Sequence, residues 1–168
     1  MAIDRIGLVP GVTDGIRSAV RPVALWLAFA VALTAMLGSL YFSEVAGFVP
    51  CALCWYQRIA MYPLVVILGV AAWRRDPRVA WYAGPVAAIG ALISIWHIAV
   101  ERIPGVPSGA CSLDVPCSLI YVERFGFVTI PTMALFGFLA ILTLLFVYAG
   151  RSGPEHDADP DTELEPAS

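Results

Sequence analysis

Four stretches of this chain run for 20 residues or more almost without a charge: Val23–Phe42, Cys54–Trp73, Val79–Val100 and Phe127–Tyr148. A helix of about 20 apolar residues crosses a hydrocarbon core about 30 Å thick. Each stretch meets that length, and a soluble core in so short a chain has no use for four of them. The pattern predicts an all-α membrane protein, a four-transmembrane-helix bundle. Pro63 and Pro85 fall inside the second and third stretches, where they are expected to kink the helices and open space between them. The first run is longer than a signal-peptide core of about 7–15 residues, and no A-x-A-like site follows it closely. A retained anchor is therefore expected. The division that follows is a segment 1–22, a membrane domain 23–148 and a tail 149–168.

Composition agrees: 60% of residues are hydrophobic and only 14% charged, with mean hydropathy +0.80. The net charge of −3 says little, because six of the thirteen acids lie in Glu155–Glu165. That acidic tail, with its Pro and Thr, reads as disordered and solvated. Every basic residue is an Arg, and their placement orients the chain. Arg5, Arg17, Arg21, Arg74, Arg75, Arg78 and Arg151 fall on one side of the four spans, and only Arg102 and Arg124 on the other. By the positive-inside rule both termini are cytoplasmic, and the loops Ser43–Pro50 and Glu101–Gly126 face outward. The expected surroundings are the lipid bilayer, with no nucleic acid partner.

All four cysteines, Cys51, Cys54, Cys111 and Cys117, fall on that outward side, where disulfides persist. Two close pairs there are either structural disulfides or pairs that exchange. Structural zinc thiolates favour two short-spaced pairs, whereas the second pair here is C-x5-C, so no metal is expected. Haem attachment needs C-x-x-C-H, and Trp55 follows Cys54. Small closed loops are also weak staples, since they remove little entropy from the unfolded chain. Redox catalysis is the reading these comparisons leave strongest.

The segment FVPCALCWYQR (Phe48–Arg58) reads as a helix start, with Pro50 in the first turn and both cysteines where the helix dipole favours a thiolate. Arg58 lies one turn beyond Cys54 on the same face and is the only charged side chain within the four stretches. An Arg at bilayer depth costs about 2.5–3.5 kcal/mol. It either stabilises a Cys54 thiolate and an anionic ligand, or snorkels to lipid phosphates. His97, near the outer end of the third span with Glu101 one turn on, either meets a ligand or bonds a neighbouring helix. Trp55, Tyr56, Trp96, Tyr121, Phe125 and Phe127 read chiefly as an aromatic belt. The segment Leu119–Phe127 is expected to lie in the interface.

A dithiol in a membrane wall needs an electron acceptor, and the chain has no haem, nucleotide or Fe–S motif. A lipid-soluble quinone is the acceptor available at that depth. The loop carrying Cys111 and Cys117, with Pro104, Gly105, Pro107 and Gly109, suits exchange with a soluble protein. At these residues a family resemblance becomes specific. FVPCALCWYQR resembles the first redox motif of the DsbB family of disulfide-forming membrane proteins. The C-x5-C pair followed by FGFVTIP (Phe125–Pro131), with MLGSLYFSE (Met36–Glu44) and ISIWH (Ile93–His97), is similar to its BdbC branch. The likeness covers Trp26 to Tyr148.

That resemblance implies a thiol:quinone oxidoreductase using ubiquinone or menaquinone and reoxidising a DsbA-like thioredoxin-fold partner. It implies that Cys111 forms the mixed disulfide, that Cys117 exchanges with Cys51, and that Cys54 faces the quinone beside Arg58. Gln57 stands where many of the proteobacterial members have Glu. Two rival readings remain. One is a vitamin K epoxide reductase-like enzyme, whose C-x-x-C comes later in the chain. The other is a non-catalytic subunit with structural disulfides.

Overall fold

The computed structural model describes residues 10–106, 111, 116–118, 120–123, 126 and 128–149, with backbone only for 10–19 and 21. Four helices account for nearly all of it: α1 (Pro10–Leu40), α2 (Ala52–Arg74), α3 (Val79–Arg102) and α4 (Ile130–Ala149). A π-helical turn, Tyr41–Val45, extends α1. All four helices are long and apolar enough to cross a membrane, the first over Pro22–Val45. The protein is thus an all-α, multi-pass membrane protein. Lipid offers backbone groups no hydrogen bonds, so each crossing must close its own ladder as a helix.

The helices form a ring. α1 packs on α2 and α4, α3 packs on α2 and α4, and α2 meets α4 at only a few residues. Side-chain size sets which faces meet. Ala28, Ala32, Ala60, Ala71, Ala83 and Ala87 are buried, while Trp73 and Trp81 are 82% and 85% exposed. Lipid tails are as apolar as a protein core, so no hydrophobic gain draws large side chains inward. Close backbone approach between small residues does the packing instead, and the few large core residues, such as Leu64, Leu68 and Phe138, fill the remaining centre.

The element ends depart from the apolar runs where polar backbone chemistry intervenes. α1 starts at Pro10, well before the apolar run, and passes through Pro22. Pro50 precedes the cap of α2 rather than opening its first turn, and Cys51 is itself the N-cap, with extended φ −71° and ψ 172°. α2 and α3 also continue unbroken through Pro63 and Pro85, which face outward. Neither proline opens space inside the bundle. Leu119, Arg124, Phe125 and Phe127 of the segment Leu119–Phe127, and the tail beyond Ala149, lie outside the described residues.

The helices reverse at the end opposite the cysteines through Arg75, held in the left-handed region at φ 53°. Asp76 fastens this turn. It accepts from the Arg78 backbone N–H at 2.9 Å and from the Tyr82 hydroxyl at 2.6 Å.

The α3–α4 contact yields a stability prediction. A Cβ built on Gly90 would overlap the Phe138 ring, which is fully buried, whereas one on Gly84 meets nothing within 4 Å. Overpacking of this kind costs about 1–3 kcal/mol. Gly90→Val is expected to lower the thermal midpoint of the detergent-solubilised protein, and Gly84→Ala to leave it in place. Equal midpoints would show that α3 and α4 do not pack this closely.

A dithiol and a disulfide at one end of the bundle

The cysteine pairs occupy the end of the bundle where α1 and α3 finish and α2 and α4 begin. Cys51 caps α2, and its sulfur accepts from the backbone N–H of Cys54 at 3.4 Å. The orphan donors of a helix N-terminus are normally met by an oxygen; here a sulfur takes that place. The two sulfurs lie 3.1 Å apart, both free thiols. Cys111 and Cys117 form a disulfide with Cα atoms 5.8 Å apart.

The two pairs are packed together rather than separated. Cys51 and Cys117, 6% and 2% exposed, share a small core with Leu53 and Val100, and Cys54 and Cys111 border it. His97 joins them. Its Nε2 lies 3.2 Å from the Cys117 carbonyl oxygen and 3.7 Å from the Cys51 sulfur. A carbonyl only accepts, so Nε2 carries the proton. The same N–H therefore faces both the disulfide loop and the thiol. His97 is 2% exposed, and its Nδ1 has no hydrogen-bond partner among the described residues.

The Cys51 thiol is held below the usual thiol range. The hydrogen bond with the Cys54 side chain is the main cause, His97 adds to it, and burial opposes it.

Two cavities meet at Cys54. The larger, about 490 Å³, lies between α1, α2 and α4. Cys54, Arg58 and Met61 wall it on one side, Ser39 and Gly38 on another, and Met133 on a third. Small residues, among them Ala30, Gly38 and Gly137, make the room that the prolines were expected to make. Phe42, Phe48 and Tyr121 stack in a column at its cysteine end, with centroids 5.9 and 4.9 Å apart and rings within 15° of parallel. Tyr121 thus does more than anchor an interface, whereas Trp55, Tyr56 and Trp96 remain outward-facing. The smaller cavity, about 20 Å³, is walled by Cys51, Cys54, His97 and Glu101.

Arg58 is partly buried at the wall of the larger cavity. Its guanidinium donates to the Ser39 carbonyl at 2.9 Å and lies 5.3 Å over the Trp55 ring. The π-helical turn just beyond loosens the α1 ladder, and Ser39 takes donors from outside it, the Ser43 hydroxyl being a second at 3.3 Å.

The spacing of the sequence brings Cys51, Cys54 and Arg58 together. His97 arrives from another helix and faces the thiol and the disulfide loop, not the larger cavity. Four further residues, Gln57, Ser94, Glu101 and Thr129, had only faint sequence signals. Gln57 is buried and donates to Ser94 at 3.1 Å. Glu101, noticed only for its spacing from His97, accepts from the buried Thr129 hydroxyl at 2.8 Å. A lone polar residue in an apolar run was the available cue for each.

A membrane bundle with a thiol pair and a disulfide in contact defines a class, the membrane proteins of thiol–disulfide exchange. Comparison with known proteins agrees. Residues 21–146 match the family model for disulfide bond formation protein DsbB. The chain is 52% identical over 133 residues to disulfide bond formation protein C of Bacillus subtilis, covering 78% of this chain and 96% of that protein. It is 43% identical to probable disulfide formation protein C 2 of Bacillus cereus, over 81% and 98% of the two chains. A probable disulfide formation protein of Oceanobacillus iheyensis is 48% identical over 77% and 90%. No solved structure matches. The chain belongs to the DsbB family, membrane proteins of disulfide bond formation.

The depressed Cys51 thiol is testable. A depressed pKa keeps the thiolate populated at pH values where an ordinary thiol, near about 8.5, is protonated. Cys54→Ser retains a donor to Cys51, and Cys54→Ala removes it. Titration of thiolate absorbance should give a midpoint below the ordinary value in Cys54→Ser and a higher one in Cys54→Ala. Coincident midpoints would mean that Cys54 does not stabilise the Cys51 thiolate.

Proposed function

We propose that this protein is a thiol:quinone oxidoreductase that reoxidises an extracytoplasmic, DsbA-like thioredoxin-fold protein. The observation that carries this reading is the cavity of about 490 Å³ against Cys54 and Arg58. Ligand pockets run from about 300 to 1,000 Å³ and combine apolar walls with a few placed polar groups. Here the walls are Met61, Met133 and the aromatic column, and the polar group is the Arg58 guanidinium. One N–H of Arg58 is committed to Ser39, and its remaining donors suit a carbonyl oxygen. A ubiquinone or menaquinone held there takes up two electrons and two protons and leaves as the quinol.

The protein's own sulfurs do the rest. A thiolate of the partner attacks Cys111, the less buried sulfur of its pair, forming a mixed disulfide and freeing Cys117. The partner's second thiol displaces Cys111, and the partner leaves oxidised. Cys117 then attacks Cys51 of a Cys51–Cys54 disulfide and frees Cys54, and Cys111 displaces Cys51 to close Cys111–Cys117 again. The result, a free dithiol beside a disulfide, matches the state in the structure. Closing Cys51–Cys54 then delivers the electron pair to the cavity. The Cys51 thiolate is placed to take the Cys54 proton across 3.1 Å, and Arg58 favours negative charge on Cys54. His97 steadies the approach of Cys117 to Cys51 through its single N–H.

The assay is quinone reduction by a reduced thioredoxin-fold protein. Replacing Cys111 and Cys117 should end turnover with that protein yet leave quinone reduction by a small dithiol. Replacing Cys51 and Cys54 should end both. In the same assay Arg58→Met should raise the quinone KM, and Arg58→Lys should retain part of the activity, because it keeps charge without the planar fork. Quinone reduction that survives loss of Cys51 and Cys54 would refute the proposed route.

The Arg distribution supports cytoplasmic termini and an extracytoplasmic cysteine end. A reporter fused after Tyr148 should be active in the cytoplasm, and one inserted in Val106–Leu113 active outside. The reverse pattern would place the cysteines in a reducing compartment and exclude a disulfide-forming role.

A further inference from the structure

The reduced pair and His97 also form a donor set with a different chemistry. We propose that reduced Cys51 and Cys54, together with His97, bind one thiophilic d10 cation, Zn²⁺ or its analogue Cd²⁺, and that the bound ion blocks the dithiol. The two sulfurs and one imidazole nitrogen all lie within 4.8 Å of one another. A tetrahedral zinc, with Zn–S of about 2.3 Å and Zn–N of about 2.0–2.1 Å, sets two sulfurs about 3.8 Å apart and a sulfur and nitrogen about 3.6 Å apart. The Cys51–His97 separation, 3.7 Å, already suits this, and the sulfurs, at 3.1 Å, need only part slightly. Cys54 borders the larger cavity, which gives its side chain room to turn.

The small cavity of about 20 Å³ touches all three residues. Space of that order holds about one water, which supplies the fourth ligand of an open site. The sequence pointed away from zinc because the two cysteine pairs lack its spacing. This donor set uses one pair only and draws its third ligand from α3.

Binding displaces the proton that the Cys51–Cys54 pair still holds and moves no electrons. A Cys51–Cys54 disulfide has no thiolate to offer, so the site exists in one redox state alone. Coordination through Nε2 also has a cost. It shifts the imidazole proton to Nδ1, which lacks a partner among the described residues, and takes the donor from the Cys117 carbonyl. Metal-bound histidines ordinarily donate their other N–H to an acceptor. Affinity is therefore below that of a closed structural zinc site, and the ion is removable by a chelator. The physical consequence is a reversible block that acts only on the electron-loaded enzyme.

The proposal stands apart from the quinone reading, because the test needs no turnover. The full-length chain carrying Cys111→Ser and Cys117→Ser, in detergent and with one dithiol left, is titrated with Cd²⁺. The readouts are the sulfur-to-cadmium charge-transfer absorbance and the metal retained after desalting. The expected result is one ion per reduced chain, none after oxidation of Cys51–Cys54, and release by EDTA. Cys54→Ser should abolish binding, and His97→Gln should weaken it by about tenfold or more. The oxidised sample requires no further substitution, so misfolding of a variant does not decide the outcome. Equal retention by reduced and oxidised protein would mean adventitious surface binding and would overturn the proposal. Unchanged affinity in His97→Gln would overturn it too, leaving a bare dithiol as the ligand.

Discussion

One imidazole N–H stands between the two cysteine pairs. His97 Nε2 reaches the Cys117 carbonyl and the Cys51 sulfur at once, so one side chain ties the disulfide loop to the start of α2. A buried polar group without a partner costs about 1–3 kcal/mol. The His97 ring is thus satisfied on one side only when the Cys117 loop lies over the start of α2. Cys117 shares a small buried core with Cys51, Cys51 caps α2, and the cap sets where Cys54 points. Exchange chemistry requires the pairs to meet, and the same contact that completes the fold brings them together.

The membrane accounts for the rest of the architecture. With lipid outside, burying a large apolar side chain gains little, so the interior is lined with alanines and the tryptophans face out. Small interfaces let helices approach closely, but they also leave room wherever α2 and α4 fail to meet. The larger cavity lies at that gap, bounded by α1, α2 and α4. Interhelical hydrogen bonds in membranes average only about 0.6 kcal/mol. Contacts such as Gln57–Ser94 therefore orient helices more than they stabilise them.

Arg58 shows how a charge is kept at this depth. Its guanidinium finds a backbone carbonyl in α1 and an aromatic face in its own helix. Both contacts offset desolvation without neutralising the charge. The cation remains available to a ligand or thiolate at the cavity wall, which a carboxylate partner would have prevented.

The four spans, their helical state and the nearness of Cys51, Cys54 and Arg58 were legible in the sequence, because they depend on composition and on spacing within one helix. Hydrophobic length alone selects a crossing helix, and a three- or four-residue step alone selects a shared face. Helix ends were less legible. The first-turn placement of Pro50 gave way to a cap made by Cys51 itself, since capping depends on which atom reaches an orphan N–H. The prolines face outward and do not line the larger cavity, which formed instead where small residues of three helices coincide. Only the tertiary structure decided that His97 faces the cysteines rather than the larger cavity, that Cys117 shares a small buried core with Cys51, and that Tyr121 closes an aromatic column with Phe42 and Phe48. Those facts join residues from different helices and loops. Their contacts are set by how the helices pack, which no local pattern along the chain records.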